Sequence, residues 1–238
     1  NQTVTTIGEE FRNENFYNFI LGTDYNIDER NVITISGNFA YEIEEQPSFT
    51  QFSLLDADNQ VISNWERNEV TEATNPKYQY EVNYKRDFKD NKDHVLLFSA
   101  LGSFFGKDLT SEFDNATTFG DDLFGGQQLT RTKFNEAEYT FKLDYTKPYS
   151  EYVTLETGAQ YVSNDVSNDF EVQNFVEGEF INDPSLTNIF EFSQKVFGAY
   201  GTYAYEKSKW GYKVGLRVEN TNLETLLLNT NESNDQNY

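Results

Sequence analysis

The chain contains no cysteine and no methionine, and its one histidine is His94. No disulfide or thiolate metal site can form. A multi-histidine metal site is excluded too, and a Ser-His-Asp triad would rest on His94 alone. Basic residues are scarce: 18 Lys and Arg stand against 40 Asp and Glu, a formal net charge of −22 over 238 residues. Such a chain repels phosphate, which argues against nucleic acid as a partner. Long apolar runs are missing. Phe19-Ile20-Leu21 and Leu226-Leu227-Leu228 are typical, at three or four residues, where a transmembrane helix needs about 20. Asn1-Gln2-Thr3-Val4 has neither the basic start nor the apolar stretch of a signal peptide, so mature protein, or a piece of one, is expected.

What is abundant is aromatic: 21 Phe and 16 Tyr, which a disordered acidic chain would lack. The mean hydropathy of −0.71 is that of a soluble protein. It is equally that of a transmembrane β-barrel, whose strands are apolar only at every second position.

Period two dominates the chain. Tyr139, Phe141, Leu143 and Tyr145 alternate with Thr140, Lys142 and Asp144. Trp210, Tyr212, Val214, Leu216 and Val218 alternate with Gly211, Lys213, Gly215, Arg217 and Glu219. Similar runs cover 33–42, 78–85 and 153–161. Each predicts a strand with one apolar and one polar face. Val95 to Phe105 and Val196 to Tyr205 are apolar on both faces, so their sides stay open.

Tight polar turns centred near residues 29, 90, 147 and 207 recur at intervals of 61, 57 and 60 residues. Between them lie long polar stretches at 44–76, 106–131, 163–189 and 221–238. The spacing predicts eight main antiparallel strands in an up-and-down order, at 15–27, 31–44, 77–88, 93–106, 132–145, 151–163, 190–205 and 210–223. An extra hairpin, Phe49 to Leu55 and Val61 to Val70, is expected within 44–76. Pro148 falls in a short turn, and Pro47, Pro76 and Pro184 fall in long loops, clear of the strands.

Three features favour a bilayer over a soluble sandwich or lipocalin-like barrel. Strands of about 13 residues exceed the usual ~5–6 and cover the ~9–11 of a tilted membrane strand. Aromatics gather near the short turns: Tyr25, Phe88, Tyr145, Tyr149, Tyr152, Tyr205, Trp210 and Tyr212. Short turns at one end and long loops at the other give an outer-membrane barrel its asymmetry, with turns periplasmic and loops extracellular. The fold class expected is therefore all-β: a transmembrane barrel segment occupying 1–238 as a single region.

Four segments carry a family resemblance. Lys195-Val196-Phe197-Gly198-Ala199-Tyr200-Gly201-Thr202-Tyr203-Ala204, followed by Gly211-Tyr212-Lys213-Val214-Gly215-Leu216-Arg217-Val218-Glu219-Asn220-Thr221, is similar to an "xAYxxY" strand followed by a "GLRxExT" strand. Leu143-Asp144-Tyr145-Thr146-Lys147-Pro148 resembles an "xDYxxPL" turn, with Tyr149 where Leu is commoner. Gly22-Thr23-Asp24-Tyr25-Asn26-Ile27 with Asn31-Val32-Ile33-Thr34 resembles a "GxDYxLxxxNxLT" hairpin. In their order along the chain they resemble the barrel of TonB-dependent outer-membrane receptors.

That resemblance implies a slice of a 22-stranded barrel, importing a scarce nutrient and doing no catalysis. It also implies partners: outer-membrane lipid, the rest of the barrel and a plug, the TonB system, and a surface substrate-binding protein. No plug is legible within the chain. The alternatives are a small structural or adhesive outer-membrane barrel and a soluble carbohydrate-binding β-sandwich.

The candidate lumen-facing residues are Lys142, Asp144, Glu156, Gln160, Lys213, Arg217 and Glu219; the role expected of them is charge ladders that stabilise the wall, ahead of contact with plug or solute. No catalytic residue, cofactor or metal site is predicted. Asp56-Ala57-Asp58-Asn59-Gln60 starts like a calcium loop, but Val61 and Arg67 stand where Gly and Glu are required. Asp108, Glu112, Asp114, Asp121 and Asp122 are expected in a solvated acidic loop. Phe113, Phe119, Phe124, Phe170, Phe175 and Phe180 are expected to pack the loops or stack on a ligand. His94 is expected to be interfacial or solvated.

Overall fold

A computed structural model describes residues 2–121 and 125–238. Every element in it is a strand, and all belong to one antiparallel sheet. They are β1 (Thr3–Glu10), β2 (Asn13–Asp28), β3 (Asn31–Leu55), β4 (Val61–Asp87), β5 (Val95–Gly120), β6 (Gly126–Pro148), β7 (Val153–Val176), β8 (Glu179–Asn182), β9 (Asn188–Lys207), β10 (Trp210–Leu227) and β11 (Glu232–Asn237). The order is up-and-down: β3, β4, β5, β6, β7, β9 and β10 pair in sequence. β1 and β2 both pair with β3, β8 extends β7, and β11 extends β10. The sheet does not close.

The eight long strands expected are present, once β1 and β2 are counted as one interrupted edge strand. The interruption has a cause. Pro47 of β3 has no N–H to donate, so the ladder lapses at Phe11 and Arg12 and keeps only Phe11 N–H to Pro47 O at 3.0 Å. Pro47 and Pro76 therefore lie inside strands, opposite Val70 and Tyr41, and not in loops as expected.

The long polar stretches are not loops either. β3, β4 and β5 are 25, 27 and 26 residues long and pair through most of 44–76 and 106–120. The expected extra hairpin is simply the far end of the β3–β4 pair, joined at Asp56–Gln60. Here neither face is uniformly apolar, so alternation fades while pairing continues. Cross-strand contacts replace it: Arg131 to Asp108 at 2.9 Å, Gln51 to Glu66 at 3.0 Å, and Thr71 against Ser111 at 2.6 Å.

Short side-chain-capped turns close the opposite end. Asp28 Oδ1 accepts from the N–H groups of Arg30 and Asn31 at 2.8 and 3.0 Å, an Asx turn. At the far end Asp56 Oδ1 likewise accepts from Asp58 and Gln60. That carboxylate caps a turn, as the missing Gly and Glu already suggested.

Candidate functional site

Because paired residues share a face, the ladders assign every side chain. One row runs Val218, Ala199, Ala159, Leu143, Phe98, Tyr84, Ile33, Tyr25 across all eight strands. Neighbouring rows on that face are as apolar. This settles the two ambiguous strands: Leu96, Phe98, Ala100 and Phe104 lie on the apolar face, as do Phe197, Ala199 and Tyr203. These side chains touch one another along the face, as Phe104 does Tyr139 at 5.4 Å, but no other layer of the protein covers them. Trp210 is 82% exposed, Leu216 81% and Phe19 64%.

The apolar face is a band of limited height. On β10 it runs from Trp210 to Val218, nine residues, and on β3 from Ile33 to Ile43, eleven. Those are the ~9–11 residues that span a bilayer at about 45° tilt. Tyrosines mark both margins. Tyr25, Tyr84, Tyr145 and Tyr205 lie toward the short turns; Tyr17, Tyr41, Tyr78 and Tyr139 lie toward the far end. Two aromatic belts flanking an aliphatic zone match two membrane interfaces. Only the belt near the short turns was expected from the sequence.

The band also drifts across the sheet. Its lower margin is Trp210 on β10 but Ile33 on β3, and Ile33 is in register with Val218. That is eight residues (218 − 210) over six strand-to-strand steps. With ~3.3 Å per residue and ~4.8 Å between strands, a level band requires strands tilted by about 40–45°.

The opposite face holds all seven candidate residues. Their six charges form three pairs: Lys142 with Asp144 at 2.9 Å, Lys213 with Glu156 at 2.5 Å, and Arg217 with Glu219 at 2.9 Å. Lys213 reaches over β9 to Glu156 on β7, and Gln160 stands opposite Lys142. Tyr200 donates to Asp144, and the Arg217 guanidinium lies 5.7 Å from the Tyr200 ring centroid. Charges are thus neutralised along the wall. Most of the buried side chains, including Ala40, Glu44, Asn75, Ser111 and Val172, lie on this face too, so it is the more enclosed side.

Residues 86–238 match the model of the outer membrane protein beta-barrel family. The chain belongs to the outer membrane protein β-barrel family. No curated protein matches it. Membership places the protein in the bacterial outer membrane, where the apolar band faces lipid.

Other sequence expectations for this barrel protein resolve less simply. His94 is buried, not solvated. Its Nδ1 lies 2.7 Å from Asp90 Oδ1, its Nε2 lies 2.9 Å from Tyr145 Oη, and the Phe88 ring stacks on it at 3.9 Å. The Asp90 carboxyl is held below the usual carboxylate range, chiefly by the hydrogen bond from His94. Asp108, Glu112 and Asp114 sit in β5, and Asp108 is held low by Arg131. Phe113 lies under the Arg67 guanidinium, and Phe175 and Phe180 meet edge-on at 5.2 Å. Asp122 and Phe124 lie outside the described residues. The sequence reading missed one cluster, Glu14, Glu42 and Glu44, gathered from two strands. Its only sequence trace is the Glu42/Glu44 spacing of two.

Proposed function

We propose that the chain is part of the barrel wall of a TonB-dependent receptor and serves the energised uptake of a scarce nutrient, without catalysis. The observation that carries this is the pair of open edges. β2 is exposed along its whole length, and the apolar band runs out to it through Phe19 and Leu21. On the other side it runs out through Val214 and Leu216 of β10. Hydrocarbon offers no partner for an unpaired backbone edge. Further strands of the same receptor cover both edges, and the paired charges of the polar face line its lumen. The four sequence resemblances, in family order, support the same assignment. A plug, the TonB system and a surface substrate-binding protein are its partners.

The test uses the intact protein extracted from outer membranes, titrated with the purified periplasmic domain of TonB. Saturable binding is expected. A folded, intact protein that binds none of it would overturn the uptake function and leave a structural barrel.

A further inference from the structure

Beyond the apolar band the two faces of the wall differ in charge. Along β3 46–54, β4 63–71, β5 111–118, β6 126–133 and β7 169–176, the outward face carries Glu66, Glu112, Asp114, Asp169 and Glu171. The inward face, the one that carries Lys142 and Glu156 lower down, has Glu69 alone over the same segments. Hydroxyls, amides and aromatic rings take most of its other positions, with one guanidinium, that of Arg67. The chain has 40 Asp and Glu, so acids are withheld from this stretch of the inner wall.

Arg67 is held in place without an acid. Its Nε donates to Asn115 Oδ1 at 2.8 Å, and its guanidinium lies 5.4 Å from the Phe52 ring centroid and 5.3 Å from that of Phe113. No Asp or Glu among the described residues pairs with it, although Lys142, Lys213 and Arg217 on the same face are all paired. Two rings and an amide therefore fix the fork while its charge stays unneutralised, a preorganised arrangement for an anion from outside. Beside it opens a cavity of about 420 Å³, within the ~300–1,000 Å³ of small-molecule sites. Phe52, Trp65, Asn115, Gln128 and Asn174 line it with Arg67, and no carboxylate does. Phe52 and Trp65 stack with ring centroids 4.8 Å apart, and Gln128 Nε2 donates to Asn174 Oδ1 at 3.0 Å.

We propose that this cavity binds an acidic sugar, a polyhydroxylated ring bearing a carboxylate, with Arg67 holding the carboxylate. A guanidinium fork matches a carboxylate through two parallel hydrogen bonds. Asn115 engages the Nε of Arg67, so the two Nη groups form the edge offered to the ligand. One cation with no second beside it suits a single negative charge better than a phosphate dianion. The amides of Asn115, Gln128 and Asn174 supply donors and acceptors for sugar hydroxyls, and Phe52 and Trp65 supply the apolar part of the lining. The inference rests on the uptake reading for its purpose: the site lies at the far end of the face which that reading makes the lumen, where a solute first arrives.

The experiment is calorimetric titration of the intact protein in detergent with trigalacturonate, and with its methyl ester as the neutral analogue. Saturable binding of the acid is expected, with the ester weaker by about tenfold or more, because the ester cannot form the charge-assisted pair. Arg67→Gln should weaken the acid by about tenfold and leave the ester nearly unchanged. The comparison of acid with ester needs no variant, so it still reports if Arg67→Gln does not fold. No binding of the acid up to about 1 mM, equal binding of acid and ester, or an Arg67→Gln protein that binds the acid as the wild type does would overturn the site. Titration with the TonB domain is read separately. A protein that binds TonB but not trigalacturonate keeps the uptake reading and loses this site; the reverse result keeps the site and loses uptake.

Discussion

Tyr200 reaches Asp144 by passing over Gly158. The three residues share one row of β9, β7 and β6, and Tyr200 donates to the carboxylate two strands away. A Cβ on residue 158 would sit 2.5 Å from Tyr200 Cζ. The glycine is thus the bed on which the aromatic ring crosses the sheet, an arrangement that pins register. Gly158→Ala should destabilise the barrel by about 1–3 kcal/mol through overpacking. Tyr200→Phe should cost about 1 kcal/mol through the lost hydrogen bond. In a Tyr200→Ala background Gly158→Ala should cost almost nothing, because the ring it displaces is gone. Urea unfolding of the four variants in lipid vesicles measures the coupling; additive costs would mean that the ring does not lie over Gly158.

A second prediction concerns depth. The band on β10 runs from Trp210 to Val218, which makes Val214 its middle and Leu216 nearer its upper margin. Val214→Arg should cost about 2–4 kcal/mol, and Leu216→Arg less, because an arginine facing lipid is most costly at the midplane. Arg217→Leu removes an exposed pair with Glu219 and a contact with the Tyr200 ring, and should still cost less than either. The reverse ranking would put β10 one residue out of register and invert its faces.

How much of this was legible depended on whether one face met lipid. Around Leu216 and Arg217 the alternation exists because neighbouring residues face different media, so the sequence alone assigned their sides. Val95 to Phe105 is apolar on both faces, and only the pairing of Phe98 with Leu143 and Tyr84 places it. Residues 106–120 face a polar environment on both sides, so no period betrayed that β5 continues there. The Glu14–Glu44 opposition was illegible for another reason. It depends on the β2–β3 register, and the turn at Asp28–Asn31 fixes that through side-chain bonds that no hydropathy pattern encodes.

The third prediction concerns acid. His94 bonds Asp90 and Tyr145 at once and closes the short turn between β4 and β5. The Asp90 carboxyl is held below its ordinary range by this bond. A lowered folded-state pKa contributes stability above the unfolded value of about 3.9, and that stability is lost as pH falls through the folded value. The turn should therefore stay protected from hydrogen exchange at pH 5 and open only below about pH 4. His94→Ala should abolish the protection of Phe88 N–H, which bonds His94 O, at both pH values. Protection that persists in His94→Ala would show that the side chain does not hold the turn.

The last prediction decides between an open wall and a self-closed barrel. β2 runs antiparallel to β10, so topology permits them to pair, and the band drift says where. Eight residues over six steps is about 1.3 residues per strand, which sums to a shear of about 10–11 around eight strands. Phe19 is in register with Glu224 through the ladders, so closure would set it beside residues 213–214. Phe19 and Val214 are 64% and 63% exposed, and each would lose the edge part of that exposure to the other strand while still facing lipid. The chain has no cysteine, so a Phe19→Cys/Val214→Cys pair is the sole disulfide available. Adjacent strands bring Cα atoms to about 4.5–5.5 Å, within disulfide reach, whereas even one intervening strand doubles the distance beyond it. If further strands cover both edges, oxidation in native outer membranes should leave both thiols free. A disulfide within one chain would show eight strands closing on themselves, with an interior filled by side chains, and uptake through a wide lumen would be untenable.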